Sequence, residues 1–362
     1  MDSKKEQLLA LIRDNPFIGQ QDLAERLGLS RSAVAGHIAS LTRERRLLGR
    51  AYVLPQRAPI VCIGGSNLDR KLRTLAPLQM GTSNPVSQRE TPGGVARNVA
   101  ENLARLGLPV HLLSAVGDDP AGRELLAHAA RLGIATSGSL QTADAATGSY
   151  TAVLDADGAM LLALAQMALT ERLSPDFLRL TTAQRASASL TVIDLNLPAD
   201  SVAQLISEAA ADTRPLIVVA VSVPKMARLP QDLSGVHCLL LNEGELAALC
   251  GGKPLTSAST LRRAHRQLRE RGLQQLVITQ GAAGVLYSDG DELLAMPAPG
   301  VPVLDVTGAG DAFAAGVCAS LYQDPLDLAL ACRRGLALSA LTLQTEATVH
   351  PDLGPELLQS IN

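Results

Sequence analysis

The segment Asp305-Val-Thr-Gly-Ala-Gly-Asp-Ala-Phe313 leads directly into a small-residue helix, Ala314-Ala-Gly-Val-Cys-Ala-Ser-Leu321. Gly308 and Gly310, with Ala309 between them, let backbone N–H groups converge on an anion, and the helix they open adds the positive end of its dipole. Asp311 sits in the same turn, where a carboxylate can take the proton from an attacking hydroxyl as charge builds on a phosphoryl group. Taken alone, the run reads equally well as a Gly-rich turn with an Asp cap. Other parts of the chain favour the chemical reading.

Upstream, Gly64-Gly-Ser-Asn-Leu-Asp69 follows an apolar run and places Asn67 and Asp69 at a strand's C-terminal end, where open α/β sheets bind ligands. Pro92-Gly-Gly-Val-Ala-Arg-Asn98 then puts the pair Gly93-Gly94 at the start of a helix carrying Asn98 one turn in. A polyol needs a carboxylate acceptor, an amide that both donates and accepts, and backbone approach without side-chain obstruction. Asp69, Asn98 and the glycine pair supply these.

The surrounding pattern is of apolar strands alternating with amphipathic helices: Ile60 to Gly64, Val110 to Ala115, Leu190 to Asp194, Leu216 to Ala220, Cys238 to Leu241 and Leu276 to Thr279. Such alternation predicts a parallel sheet covered by helices on both faces. Residues 68–92 and 147–167 interrupt it with β-like segments, expected to form a small lid sheet over the C-terminal ends of the main strands. The first 54 residues differ. Leu8, Leu9, Leu11 and Ile12, then Leu23 and Leu27, then Val34, Ile38 and Leu41 mark three short helices. Asn15-Pro16 ends the first, Gly28 follows the second and Ser30 caps the third. The run Arg46 to Leu54 reads as a small β-hairpin. The expected division is an all-α/winged-helix module at 1–54, a Pro-Gln-Arg-Ala-Pro linker at 55–59, and an α/β domain at 60–362.

The ordered set of motifs resembles the ribokinase/PfkB carbohydrate-kinase family over about residues 59 to 350. It includes Asn242-Glu-Gly-Glu245, like the family's N-x-x-E element, and Thr279-Gln-Gly-Ala-Ala-Gly284, like its nucleotide loop. The resemblance implies a ribokinase-like three-layer α/β/α domain with a β-sheet lid, and ATP-dependent phosphorylation of a primary hydroxyl on a furanose. Asp311 would be the base, with the N–H groups of Gly308, Ala309 and Gly310 stabilising the transferring phosphoryl group. Asn67, Asp69, Gly93, Gly94, Asn98 and Gln166 would hold the substrate. ATP would meet Asn196, Ser222, Lys225, Asn242, Thr279, Gly281, Gly284, Thr307, Gly308 and Gly310. Asn242 and Glu245 would act on Mg²⁺ through water, and Asp305 with the Val306 carbonyl matches the family's monovalent-cation site, for K⁺.

Ribokinase-type enzymes usually carry Lys after the glycine pair, where Val95 stands here. Gly93-Gly-Val-Ala-Arg-Asn98, His111 to Asp118, Ser149 to Asp155, Asp194-Leu-Asn196 and Val221-Ser-Val-Pro-Lys225 instead resemble pseudouridine kinases. The chain departs from their pattern at Ala165-Gln166 and at Val219-Ala220. A nucleoside with a free 5′-hydroxyl is the expected acceptor, pseudouridine first, then uridine, adenosine, inosine or cytidine, then a ribose-like sugar or a sugar phosphate. Arg70, Lys71 and Arg97 suit either a substrate phosphate or solvated lid charge.

The N-terminal module is similar to bacterial winged helix-turn-helix domains, which implies contact with double-stranded DNA. Arg43, Arg45, Arg46 and Arg50 fall where a winged helix meets the backbone, while Arg31, Ser32 and His37 lie on or beside the recognition helix. Residues 1–55 hold nine Lys/Arg against six acids, leaving 23 basic and 29 acidic side chains in the rest. Any DNA binding is therefore expected to depend on the N-terminal arginines and to weaken with salt. Two classes of function follow: a nucleoside kinase tied to DNA for autoregulation, or a regulator that keeps the kinase fold as a nucleoside or sugar sensor. The intact Asp311 favours the kinase.

At 47% hydrophobic and 19% charged, the chain is that of a globular protein and not a disordered one. Five cysteines without a C-x-x-C pair suggest reduced thiols, and seven Phe or Tyr with no Trp offer little for stacking nucleic-acid bases. With no membrane span and no apolar leader after Met-Asp-Ser-Lys-Lys-Glu, a cytoplasmic location is expected. A homodimer is expected from the lid and from the two-fold habit of helix-turn-helix proteins.

Overall fold

The computed structural model describes residues 4–15, 18–47, 58–212 and 214–361, in two compact units, 1–58 and 59–362. The first unit holds helices α1 (Lys4–Asp14), α2 (Gln20–Leu27) and α3 (Arg31–Arg43). Gly28 closes α2 at φ 63°, and the Ser30 hydroxyl caps α3 by accepting from Ala33 N at 3.2 Å. Leu8, Leu9, Ile12, Leu23, Leu27, Val34 and Leu41 fill a small separate core, against which Ile38 is half-buried. The expected hairpin beyond residue 47 lies outside the described residues.

In the second unit the strands are β1 (Ile60–Ile63), β2 (Asn67–Thr74), β3 (Val86–Gly93), β4 (Val110–Leu113), β5 (Ala115–Gly117), β6 (Leu140–Thr142), β7 (Ser149–Leu154) and β8 (Met160–Gln166). They continue with β9 (Leu190–Asp194), β10 (Leu216–Val219), β11 (Cys238–Asn242), β12 (Gln275–Thr279), β13 (Val285–Asp289) and β14 (Glu292–Met296). The main sheet runs β14-β13-β12-β11-β10-β9-β1-β4, parallel from β4 to β12 and antiparallel through the β13–β14 hairpin. Between the strands come α4 (Val95–Arg105), α5 (Pro120–Arg131), α6 (Pro175–Leu180), α7 (Thr182–Ala186), α8 (Ala199–Asp212), α9 (Glu243–Leu249) and α10 (Ala258–Glu270). After the hairpin follow α11 (Ala309–Gln323), α12 (Leu328–Thr342) and α13 (Glu356–Ser360).

Alternation along β1 shows why two helical layers are needed. Ile60 and Cys62 enter a core with α4, α11 and α12, while Val61 and Ile63 enter another with α6, α8 and α10. The small residues of α11 allow α12 to lie close, since a Cβ on Gly316 would stand 2.7 Å from the Gly335 Cα. The lid is a four-stranded sheet, β3-β2-β7-β8, whose strand β2 starts four residues after β1 ends. Cys62, Cys238, Cys250, Cys318 and Cys332 are all free thiols. Among the described residues no helix is long and apolar enough to cross a membrane.

Candidate active site

One buried carboxylate organises the floor. Asp194, at the end of β9, accepts from Gly65 N at 2.8 Å, Ala96 N at 2.9 Å and Asn196 N at 2.8 Å. Burial pushes its pKa up, against those three N–H bonds. It thereby ties the loop after β1 to the first turn of α4. Gly93 and Gly94 close the same corner: a Cβ on Gly93 would come within 2.3 Å of the Asp69 carboxyl, and Gly94, at φ 100°, would place one 2.4 Å from Gly65 O. Asp69 accepts from Asn67 Nδ2 at 2.6 Å, and burial raises its pKa despite Asn67, Arg97 and Lys71.

Facing this corner is the first turn of α11. Gly308 caps the helix at φ 83°, where an added Cβ would stand 2.0 Å from Thr348 O, and no side chain caps the helix. The first N–H groups of a helix have no intrahelical partner and so favour an anion. Beside Gly310 there is open space within 4 Å of where a Cβ would be. Asp311 Oδ2 accepts from Asn98 Nδ2 at 2.6 Å, joining the two glycine motifs. Burial raises the Asp311 pKa to about 7; Asn98 and Arg97 pull it down while Asp194 and Asp69 push it up. A carboxylate poised near neutrality suits general-base work.

The residues expected to meet the nucleotide cluster around the ends of β9 to β12. Asn242 and Glu245 engage one another in a capping box on α9: Asn242 Oδ1 accepts from Glu245 N at 2.9 Å, and Glu245 Oε2 from Asn242 N at 2.8 Å. Burial lifts the Glu245 pKa. Among the described residues no group of three His, Cys, Asp or Glu side chains is placed to hold a metal. A Mg²⁺ held by this pair would keep most of its waters and take further oxygens from phosphates. Thr279 ends β12 beside Asn242, its partner in the parallel register, and Gly281 and Gly284 shape the turn into β13. Asn196 follows β9, with its carbonyl accepting from Arg228 Nη1 at 2.7 Å. Ser222 and Lys225 lie at the start of a short 3₁₀ turn after β10, where burial lowers the Lys225 pKa.

One expectation is corrected and two others meet competing partners. At the expected monovalent-cation site Asp305 is already engaged. Asp305 Oδ1 accepts from Thr307 N at 2.9 Å and Thr307 Oγ1 at 2.7 Å, Oδ2 is ion-paired with Lys71, and the Lys71 ammonium also donates to Thr307 Oγ1 at 2.8 Å. Val306 is exposed, and Asp305 is held below its usual pKa because Lys71 and Thr307 outweigh burial. Gln166 pairs with Ser149, and Ser149 with Leu68, so it shares the face of the lid opposite Asp69; Ala165, across from Tyr150, is on the Asp69 face. Arg46 forks onto Glu6 at 2.7 and 2.8 Å in an exposed pair, linking the turn after α3 to α1.

Of the other residues expected at DNA, Arg31, Ser32 and Arg43 are exposed on α3, His37 is half-buried, Arg45 follows the helix at φ 55°, and Arg50 lies outside the described residues. Sequence reasoning missed Asp194 as the organiser of the floor. The available signal was a lone acid ending an otherwise buried apolar strand.

Two known families match the chain. The family described as pfkB family carbohydrate kinase matches residues 57–353, and winged helix-turn-helix DNA-binding matches residues 1–45. The chain is 33% identical to the uncharacterized sugar kinase YeiI of Escherichia coli (strain K12) over 341 residues, covering 92% of each. It is 34% identical to the pseudouridine kinase of the same organism over 295 residues, 81% of this chain and 93% of the relative. Among solved structures, a carbohydrate kinase from Agrobacterium tumefaciens superposes with a TM-score of 0.72 at 32% identity, over 84% of this chain and 96% of that one. Arabidopsis thaliana ribokinase complexed with ribose and ATP shares the fold, with a TM-score of 0.73 at 20% identity over 84% and 98% of the two chains.

Proposed function

The chain belongs to the pfkB family of carbohydrate kinases, phosphotransferases with an alcohol acceptor, and on that premise we propose that it transfers a phosphoryl group from ATP to the 5′-hydroxyl of a nucleoside, pseudouridine first. The observation that carries the reading is the Asn98–Asp311 pair at the uncapped start of α11. Asp69 and Asn98 hold the sugar hydroxyls, and Asp311 takes the proton of the attacking hydroxyl. The N–H groups of Gly308, Ala309 and Gly310 face the charge that grows on the transferred group. ATP supplies that group, and Asn242 and Glu245 would hold, through water, a Mg²⁺ that would offset the charge on its phosphates. Pseudouridine is favoured by the Gly93 to Asn98 form and by the relative that is 34% identical.

The test is ATP consumption with Mg²⁺ over pseudouridine, uridine, adenosine, inosine, cytidine and ribose. Preferred turnover of pseudouridine supports the reading. No turnover on any of the six would favour a regulator that uses the fold as a sensor, with DNA read by residues 1–54. We also infer a homodimer formed through the lid, in the cytoplasm. Strand β8 is an edge strand exposed along its whole length, with Met160 60% and Leu164 61% exposed. An apolar edge of that kind calls for a partner strand, and a second copy supplies one.

A further inference from the structure

Arg97 lies between the glycine pair and Asn98, and is 2% exposed. Its Nη1 donates to Glu101 Oε2 at 2.5 Å, its Nη2 to Pro92 O at 3.2 Å, and its Nε to Asn98 Oδ1 at 3.2 Å; Nη2 also donates to that same amide oxygen. Glu101, 4% exposed, is braced from outside by Arg105 Nε at 2.9 Å. Burial raises the Glu101 pKa, but Arg97, Arg105 and His128 together outweigh it and hold it below its usual value.

A guanidinium offers donors and no acceptor. The atom of the Asn98 carboxamide that faces it is therefore the oxygen, and the NH₂ group is left for Asp311, at 2.6 Å. Turned over, the amide would set NH₂ against guanidinium and oxygen against carboxylate, losing both contacts. We propose that Arg97 is a positioning residue, which locks the Asn98 carboxamide so that it always donates to Asp311. Arg97 is thus accounted for without a substrate phosphate. The inference rests on the reading of Asp311 as the base.

Besides burial, the largest influence, four groups bear on the charge state of Asp311: Asn98 and Arg97 from α4, Asp69 from β2 and Asp194 from β9. Removing Arg97 takes away a positive charge and frees Asn98 to turn, and both changes favour the protonated acid. The experiment is a ¹³C NMR titration of the Asp311 carboxyl in the full chain, assigned by its loss in Asp311→Asn. Arg97→Met is expected to move the midpoint upward by about one pH unit, with Arg97→Lys between it and wild type. Glu101→Gln breaks the same buried ion pair but leaves the fork on Asn98, and its midpoint does not rise. With pseudouridine as acceptor, the acid limb of kcat/KM follows the NMR midpoint.

Equal midpoints in wild type and Arg97→Met, or equal rises in Arg97→Met and Glu101→Gln, would overturn the proposal. Should Arg97→Met not fold, the charge-balanced Arg97→Met/Glu101→Gln variant carries the same expectation. Normal turnover by Asp311→Asn would instead defeat the base assignment, whatever the titrations of the Arg97 variants read.

Discussion

Asp311 is asked to be a base in a place that resists its charge. Its pKa rises from 3.8 to about 7, so the folded protein holds the proton more tightly than the unfolded chain does. The resulting stability is complete below 3.8 and is lost as pH rises through about 7. Asp311→Asn removes both the base and the penalty. Turnover is expected to fall by about 10²- to 10⁴-fold, while Tm at pH 8 rises above wild type by about 2–4 °C for each kcal/mol recovered. That gain shrinks towards pH 5, and thermal melts across the range check it. Lys71 gives a second prediction. Because its ammonium already sits on Asp305 and Thr307, replacing Na⁺ by K⁺ leaves wild-type turnover unstimulated, whereas Lys71→Met loses activity that K⁺ partly restores. Stimulation of the wild type by K⁺ would contradict the assignment.

Among the elements, strand β8 makes the most exposed claim. Leu162→Asp together with Leu164→Asp is expected to shift the protein from dimer to monomer in sedimentation, leaving the fold of the main sheet intact. The parallel strands were legible because each is an apolar run buried on both faces, as at Ile60 to Ile63. Helix α3 was legible from Ser30, whose capping is a local matter. The lid was legible only as two β-like stretches. Its register, which sends Gln166 to the far face, depends on how β7 meets β2, and nothing local in residues 147–167 encodes that. Asp305 illustrates the same limit at the site. Its motif was readable, but its cation partner comes from Lys71, 234 positions away.

For the whole molecule, the formal charge of −3 combines a basic first module with an acidic kinase domain. Residues 59–362 are expected to keep full turnover when expressed without the first 58, and to lose retention on DNA. Full-length protein should be retained on DNA less as salt rises, as contacts to phosphates would release counterions. Gel-shift and turnover assays on the same two proteins check both halves. The bond between Asn98 and Asp311 also has a kinetic side. It closes a loop of 213 residues, and Asp194 meets Gly65 across 129. Such distant pairings form slowly, and during synthesis the Asn98–Asp311 pair cannot form until about six-sevenths of the chain has been made. A nascent or C-terminally cut chain that ends before Asp311 lacks this pair however well its helices form, so refolding should restore helical signal well ahead of turnover.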